Sequence, residues 1–459
     1  MQEQKENRMG TMPVKKLIVT ISLPMMLSML VQACYNVVDS IYVSRIDEAA
    51  LTAVTLAFPL QNLMIAVASG TGVGMNAMLS CALGEKRFEK SDAAANKGLL
   101  LAFLSAIVFC FIGFFGSAPF IATQADDALI AAYGTEYLSC VCIFSFGLFF
   151  QITFERLLQS TGKSVYSMVT QLTGAVINIV LDPILIFGYY GAPQMGVLGA
   201  AVATVIGQSI AAVIGLFLNL YMNKELHFSL KKVFAADAET VKRIYFVGIP
   251  SILMMSIGSV MTYLMNLILM GFSATATAVF GAYFKLQSFF FMPIFGLNNG
   301  LIPVLAYNYG AARKSRIDEA LRFSIKLAVA IMCVGMVAFL LLPNVLLGFF
   351  EASEDMLAVG VPAMRTICLH FPLAAVCIAM GSVFQAFSQS IYSLVISVCR
   401  QLLVLIPAAW ILGRIGGVNA VWWSFLIAEF MSLTLTIVFF RRLYRTTVKP
   451  LEEKEATVA

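Results

Sequence analysis

Charge is what this chain has least of. Asp, Glu, Lys and Arg make up 12% of its 459 residues, about half the ~25% of an ordinary soluble domain. Histidine occurs twice and tryptophan three times. Nine cysteines are present, but they fall almost entirely inside apolar runs. They have neither the paired spacing of a zinc site nor the pattern of a disulfide framework, and they read as small core residues. The apolar segments carry no Asp-rich prenyl-phosphate motif, metal-binding helix or nucleophile–base pair, so an intramembrane enzyme is set aside. The net charge of +5 does not mark a nucleic-acid binder, because the basic residues sit in short loops between apolar runs. No cleavable leader is expected either. Lys15 and Lys16 precede a run too long for a signal sequence, so the first span is expected to stay in the protein.

Apolar residues take the place of the missing charge. The chain is 60% hydrophobic, with a mean hydropathy of +0.88. A helical span needs about 20 such residues. Runs at 17–43, 51–81, 97–117, 128–154, 164–188, 197–221, 243–270, 276–306, 323–343, 356–386, 391–413 and 418–440 supply twelve. They are continuous rather than alternating, which predicts helices and not a β-barrel. The Lys/Arg bias sets the orientation. With the N-terminus placed in the cytoplasm, 26 basic residues, Arg156 and Arg400 among them, fall on that side, and only Arg45 and Arg414 fall outside. Both termini are therefore expected to be cytoplasmic.

The chain repeats itself. A shift of 226 residues lays Pro24 on Pro250, Gln61 on Gln287, Gly70 and Gly74 on Gly296 and Gly300, and Asp92 on Asp318. The same shift lays "SVYSMV" at 164–169 on "SIYSLV" at 390–395. One offset held over ~150 residues means two six-span halves. An even number of spans separates equivalent positions, so the halves share orientation, as in parallel repeats. The expected fold is an all-α membrane protein with twelve transmembrane helices. These form two six-helix lobes related by a pseudo-twofold along the membrane normal: an N-lobe at 1–221, a basic, polar cytoplasmic linker at 222–242 and a C-lobe at 243–459.

Against this symmetry stands one asymmetry. In "YNVVDSIYVSR", residues 35–45, Asp39 lies within a membrane run, where a charge costs about 2.5–3.5 kcal/mol at the bilayer centre. Its twin under the offset is Met265, and the twin of Asp182 is Ala408. The scaffold is duplicated and the carboxylates are not, which points to a function housed in the first half. Gln32, Tyr35, Asn36 and Asp39 form a polar stripe that must face protein or water. Asn178 and Asp182 are i,i+4 and share a face. At 1.5 Å per residue, Asp39 and Asp182 lie roughly 7 and 9 Å from the outer ends of their spans. Pro183 has no N–H to give the Ile179 carbonyl, which leaves that oxygen beside the carboxylates. Two desolvated carboxylates side by side cannot both ionise cheaply. They can hold a proton, or a hard cation with its oxygen ligands. Pro24, ~22 Å before Asp39, is a candidate hinge or a static kink, and Pro183 is a second candidate.

The two-times-six layout, "ISLPMMLSMLVQACYNVVDSIYVSR" and "NIVLDPILIFG" resemble the multidrug and toxic compound extrusion (MATE) family. "FFMPIFGLNNGLIPVLAYNYGAAR" is similar to its MepA-like bacterial members. The resemblance covers residues 13–440. It implies two six-helix lobes around a central cavity and antiport of bulky organic cations and drugs for H⁺ or Na⁺ across the bacterial cytoplasmic membrane. No other cofactor is implied, and the chain is expected to act as a monomer. The family's cation site falls on Asp39, Asn178 and Asp182, the ligand set for Na⁺ if sodium is the coupling ion, with Thr204 joining. Members of the NorM-like branch also carry acids on spans seven and ten. This chain has none at 243–270 or 356–386. The alternative function is a lipid-linked precursor flippase of the same superfamily. Pyrophosphate recognition would call for several intramembrane cations, whereas the spans offer Lys285 and Arg365 against Asp39, Asp182 and Glu429. A channel or receptor fits duplicated lobes with broken helices less well than alternating access does.

Further residues that could line a cavity are Gln32, Tyr35, Asn36, Gln61, Lys285, Gln287 and Glu429. Glu429 has Lys285 or Arg365 as expected partners, or serves to attract cationic substrate. His370 is flanked by apolar residues and reads as a satisfied helix contact. "GTGVG" at 70–74 lacks the lysine and strand of a phosphate loop, and it recurs in the repeat, so close helix packing is its expected role.

Overall fold

The computed structural model describes residues 7–125, 127–350 and 353–452, apart from the Glu48 side chain. Lys5 and Lys454, two of the 26 basic residues placed on the cytoplasmic side, lie outside these residues. Among the described residues there is no strand. Eleven helices are long and apolar enough to cross a membrane, and Ala128–Ile143 with Phe146–Ser160, bent by 48°, makes a twelfth crossing. The chain is thus a multi-pass helical membrane protein. Span 1 is Val14–Ser44, span 2 Glu48–Gly84, span 3 Phe88–Phe115 and span 4 the bent pair. Span 5 is Ser164–Phe187, span 6 Gly196–Met222, span 7 Ala238–Met270 and span 8 Ala274–Gly310. Span 9 is Lys314–Leu341, span 10 Glu354–Ala386, span 11 Ser390–Val421 and span 12 Trp423–Val448. Spans 3 and 9 both start nine residues before their apolar runs, at Phe88 and Lys314. Polar first turns continue these helices beyond the lipid-soluble stretch.

The repeat is written into the backbone as well as the sequence. Asp47 and Ser273, 226 residues apart, both cap helices by accepting the N–H of the residue three further on, and so do Asp127 and Ser353. Helix ends repeat too. Lys86 and Ala312 adopt left-handed conformations (φ 58° and 54°), as do Gly162 and Ser388 (79° and 59°). Each is followed by an N–H that reaches back to the carbonyl five residues earlier: Arg87 to Ala82, Arg313 to Asn308, Lys163 to Leu158 and Gln389 to Phe384. These are the closures that satisfy the orphan carbonyls of a helix C-terminus.

Two compact units emerge, and they differ from the lobes drawn on the sequence. One is Leu27–Ile252. The other takes the chain up to Met26 and from Leu253 onward. The cuts fall two residues after Pro24 and Pro250, inside spans 1 and 7, and not at 222–242. Glycines supply the reason. A Cβ on Gly70 would lie 2.9 Å from the Ile252 nitrogen, and one on Gly74 would strike the Ile244 carbonyl oxygen. The start of span 7 therefore beds onto span 2, as the packing reading of "GTGVG" requires. The repeat does the same in the other unit, where Gly296 and Gly300 take the backbone of Met26 and Ser22 at span 1.

The segment 222–242 is docked on its own unit and does not act as a loose linker. Lys97 Nζ donates to the carbonyls of Lys232 and Val233, both at 2.8 Å, and of Ala235 at 2.5 Å. Asn96 and Asp92 take the backbone N–H groups of Ser229 and His227. Two residues counted on the cytoplasmic side lie within helices. Arg156 is buried within Phe146–Ser160 and donates to Gln159 at 3.0 Å. Arg400 lies ten residues into span 11.

Candidate functional site

The unit Leu27–Ile252 brings together the four residues expected to hold the coupling ion. Span 1 supplies Asp39, span 5 Asn178 and Asp182, and span 6 Thr204. Asp182, Asn178 and Thr204 are 0%, 2% and 3% exposed. The Asn178 amide satisfies all its neighbours in one orientation. Its nitrogen then donates to Asp182 Oδ2 at 3.0 Å, and its oxygen accepts from the Thr204 hydroxyl at 3.1 Å and the Thr204 N–H at 3.0 Å. Tyr35 of span 1 approaches Thr204 and the two acids. The Asp39 and Asp182 carboxyl groups lie within hydrogen-bonding reach of each other. Yet each has a buried Oδ1 that finds no N–H or O–H donor. Two carboxylates can share a hydrogen bond only when one of them carries a proton. The alternative is a cation between them. Either way, a positive charge belongs at this point.

The stripe on span 1 is partly engaged. Gln32 accepts from the Gln171 amide at 2.9 Å, and Tyr35 and Asp39 join the acid site, while Asn36 is exposed. Gln61 of span 2 approaches the Tyr137 hydroxyl of span 4. Tyr137 is buried, with its hydroxyl in the field of Asp39 and Asp182. Sequence reading overlooked Tyr137. Its signal was a polar hydroxyl in the apolar run "EYLSCVCI". Pro183 and Pro24 both sit inside continuous helices.

Lys285, Gln287 and Glu429 belong to the other unit. Lys285 is exposed and Gln287 half-buried. Glu429 is buried, and its partner is neither Lys285 nor Arg365. Arg400 Nη1 approaches its Oε2 at 3.3 Å, and Oε1 has no donor. Cys399–Leu405 is a π-helical stretch. Its widened turn changes the direction of Arg400 from that of a regular helix, which counting residues along the span could not anticipate. Arg365 is spent on the Leu340 carbonyl at 3.2 Å. His370 is the satisfied contact expected of it. Its Nδ1 meets the Ile367 carbonyl at 2.5 Å, and its ring packs against Phe291, Phe371 and Phe425.

Comparison with known proteins agrees with this architecture. The Multidrug export protein MepA of Staphylococcus haemolyticus is 27% identical over 420 residues, covering 90% of each chain. That of Staphylococcus aureus is 24% identical, covering 91% of each. A solved structure described as the outward-facing conformation of a multidrug resistance MATE family transporter of the MOP superfamily matches with a TM-score of 0.90 at 24% identity. It covers 99% of this chain and 100% of that one, a likeness of fold. The MatE family profile matches twice, at residues 24–184 and 250–411, with the two matches starting at the repeat-related prolines. With most of its length matched and the acid pair in place, this chain belongs to the MatE family, the multidrug and toxic compound extrusion family its motifs resemble.

Proposed function

We propose that the chain is a secondary active antiporter that exports organic cations and drugs across a bacterial cytoplasmic membrane, driven by protons taken up at Asp39 and Asp182. The observation that carries this reading is the facing pair of buried carboxyl groups, each with a donorless oxygen. Uptake of a proton there and binding of a cationic substrate to the same unit compete. By reciprocal linkage, entry of one favours departure of the other. Asn178 suits a proton when its oxygen accepts from Thr204 and its N–H group donates to Asp182, and the reverse amide orientation, with its N–H on the Thr204 hydroxyl at 3.1 Å, suits Na⁺. A sodium site would need that oxygen turned toward the carboxylates, joined by the Thr204 hydroxyl and the Ile179 carbonyl. Pro24 is the proposed pivot of span 1, since it lacks the N–H that would tie its turn to the one before. The chain is proposed to work as a monomer with both termini cytoplasmic. Vesicles loaded with a fluorescent organic cation test the reading. Transport should follow an imposed pH gradient and vanish in Asp39→Asn. Transport that follows a Na⁺ gradient alone would replace the proton with sodium, and transport unaffected by Asp39→Asn would remove the site.

A further inference from the structure

The unit that holds no acid pair carries a second feature of interest, far along the chain from Glu429. A pocket of about 580 Å³ opens between the first turn of span 1 and the start of span 9, lined by Lys15, Lys314, Asp318, Glu319, Arg322 and Lys326 among others. Its charges do not cancel. Lys314 is held 3.8 Å from Asp318 and 3.1 Å from Glu452, and the Tyr444 hydroxyl donates to Asp318. Lys15, Arg322 and Lys326 make no ion pair among the described residues, and Glu319 is the one unengaged acid among them. Three cations therefore face one carboxylate.

The pocket leads into apolar surface. On span 1, Lys15 is followed at four-residue steps by Val19 and Leu23, 43% and 49% exposed. On span 9, Arg322 and Lys326 are followed at the same step by Ala330 and by Val334, which is 65% exposed. Residues four apart share a helix face, so both walls run from cations directly into stripes that acyl chains would cover. The equivalent face of the first half is built differently. There Asp92, Asn96 and Lys97 grip the backbone at 227–235, while at the repeat-related positions Asp318, Arg322 and Phe323 border open space.

We propose that this pocket binds the phosphate of an anionic phospholipid, with Lys15, Arg322 and Lys326 holding the headgroup and the acyl chains lying along the stripes of spans 1 and 9. Basic pockets at the ends of membrane helices bind such headgroups through charge and hydrogen bonding. The stripes are what distinguish a lipid from a free phosphate ion, which would have no use for them. The test uses the full chain, stripped of lipid in neutral detergent. It is titrated with phosphatidylglycerol, phosphatidylcholine or inorganic phosphate and followed by native mass spectrometry and thermal denaturation. One phosphatidylglycerol should be retained per chain, in preference to phosphatidylcholine. R322Q/K326Q should weaken it roughly 30-fold, about fivefold for each cation removed near an anionic headgroup. K15Q should weaken it about fivefold, which gives an independent reading if the double variant does not fold. R322K/K326R should retain binding, as should K224Q, which removes an exposed lysine elsewhere. Equal retention of phosphatidylcholine, undiminished phosphatidylglycerol binding in both R322Q/K326Q and K15Q, or equal stabilisation by inorganic phosphate would overturn the proposal.

Discussion

Replacing Asp182 by asparagine removes one acid from the pair while keeping its shape. An asparagine amide at 182 can donate to Asp39 across the same gap, so the hydrogen bond that needed a shared proton is now made without one. The buried site stays satisfied and the protein is expected to fold. What disappears is the site's need for a proton. The consequence can be stated in advance. One pH unit is worth about 1.4 kcal/mol per proton, which sustains a tenfold concentration ratio of a monovalent cation exchanged one for one. Inverted vesicles with an acidic lumen should therefore accumulate a fluorescent organic cation about tenfold in the wild type. In Asp182→Asn the ratio should fall to about one, while substrate binding, measured by fluorescence polarisation in detergent, persists. A variant that still builds the tenfold ratio would show that protons do not pass through the pair. A variant that loses binding together with transport would show that Asp182 belongs to the substrate site and not to the coupling.

Three further outcomes follow from the packing. Glu429→Gln strips the counter-ion from a largely buried Arg400 and should lower stability by up to about 3 kcal/mol, as broken buried pairs do. Adding Arg400→Met to it should recover most of the loss in a thermal-shift assay. Thr204→Val removes the hydroxyl that bonds the Asn178 amide and should cost about 1–3 kcal/mol, with Thr204→Ser near wild type in the same assay. Gly74→Ala drives a methyl into the Ile244 carbonyl and should destabilise by about 1–3 kcal/mol, read as lost monodisperse protein. Gly281→Ala, with open space around it, should be tolerated.

Much of this architecture was legible in the residues because the bilayer imposes length and hydropathy on every crossing. Span 5 was predicted at 164–188 and is found at Ser164–Phe187. The family resemblance groups Asp39, Asn178, Asp182 and Thr204 into one site, and helix periodicity and depth agree with it because a membrane gives helices a common ruler. Other features had no such ruler. The docking of 227–235 depends on backbone carbonyls meeting Lys97, and carbonyls leave no trace in composition. The Glu429–Arg400 pair depends on a π-helical turn that shifts facing by a fraction of a residue. The membership of the start of span 1 in the opposite unit depends on which glycine face it meets, and both halves offer the same one.

Because Gly70 and Gly74 receive the opening of span 7, while Gly296 and Gly300 receive that of span 1, the ancestral duplication did not leave two self-sufficient modules. A gene cut near its midpoint would yield fragments that each expose a bare furrow and carry the ridge belonging to its sibling. Co-production should rescue what neither piece achieves alone. Any scheme that grafts one half onto a relative must transplant the matching opening helix with it.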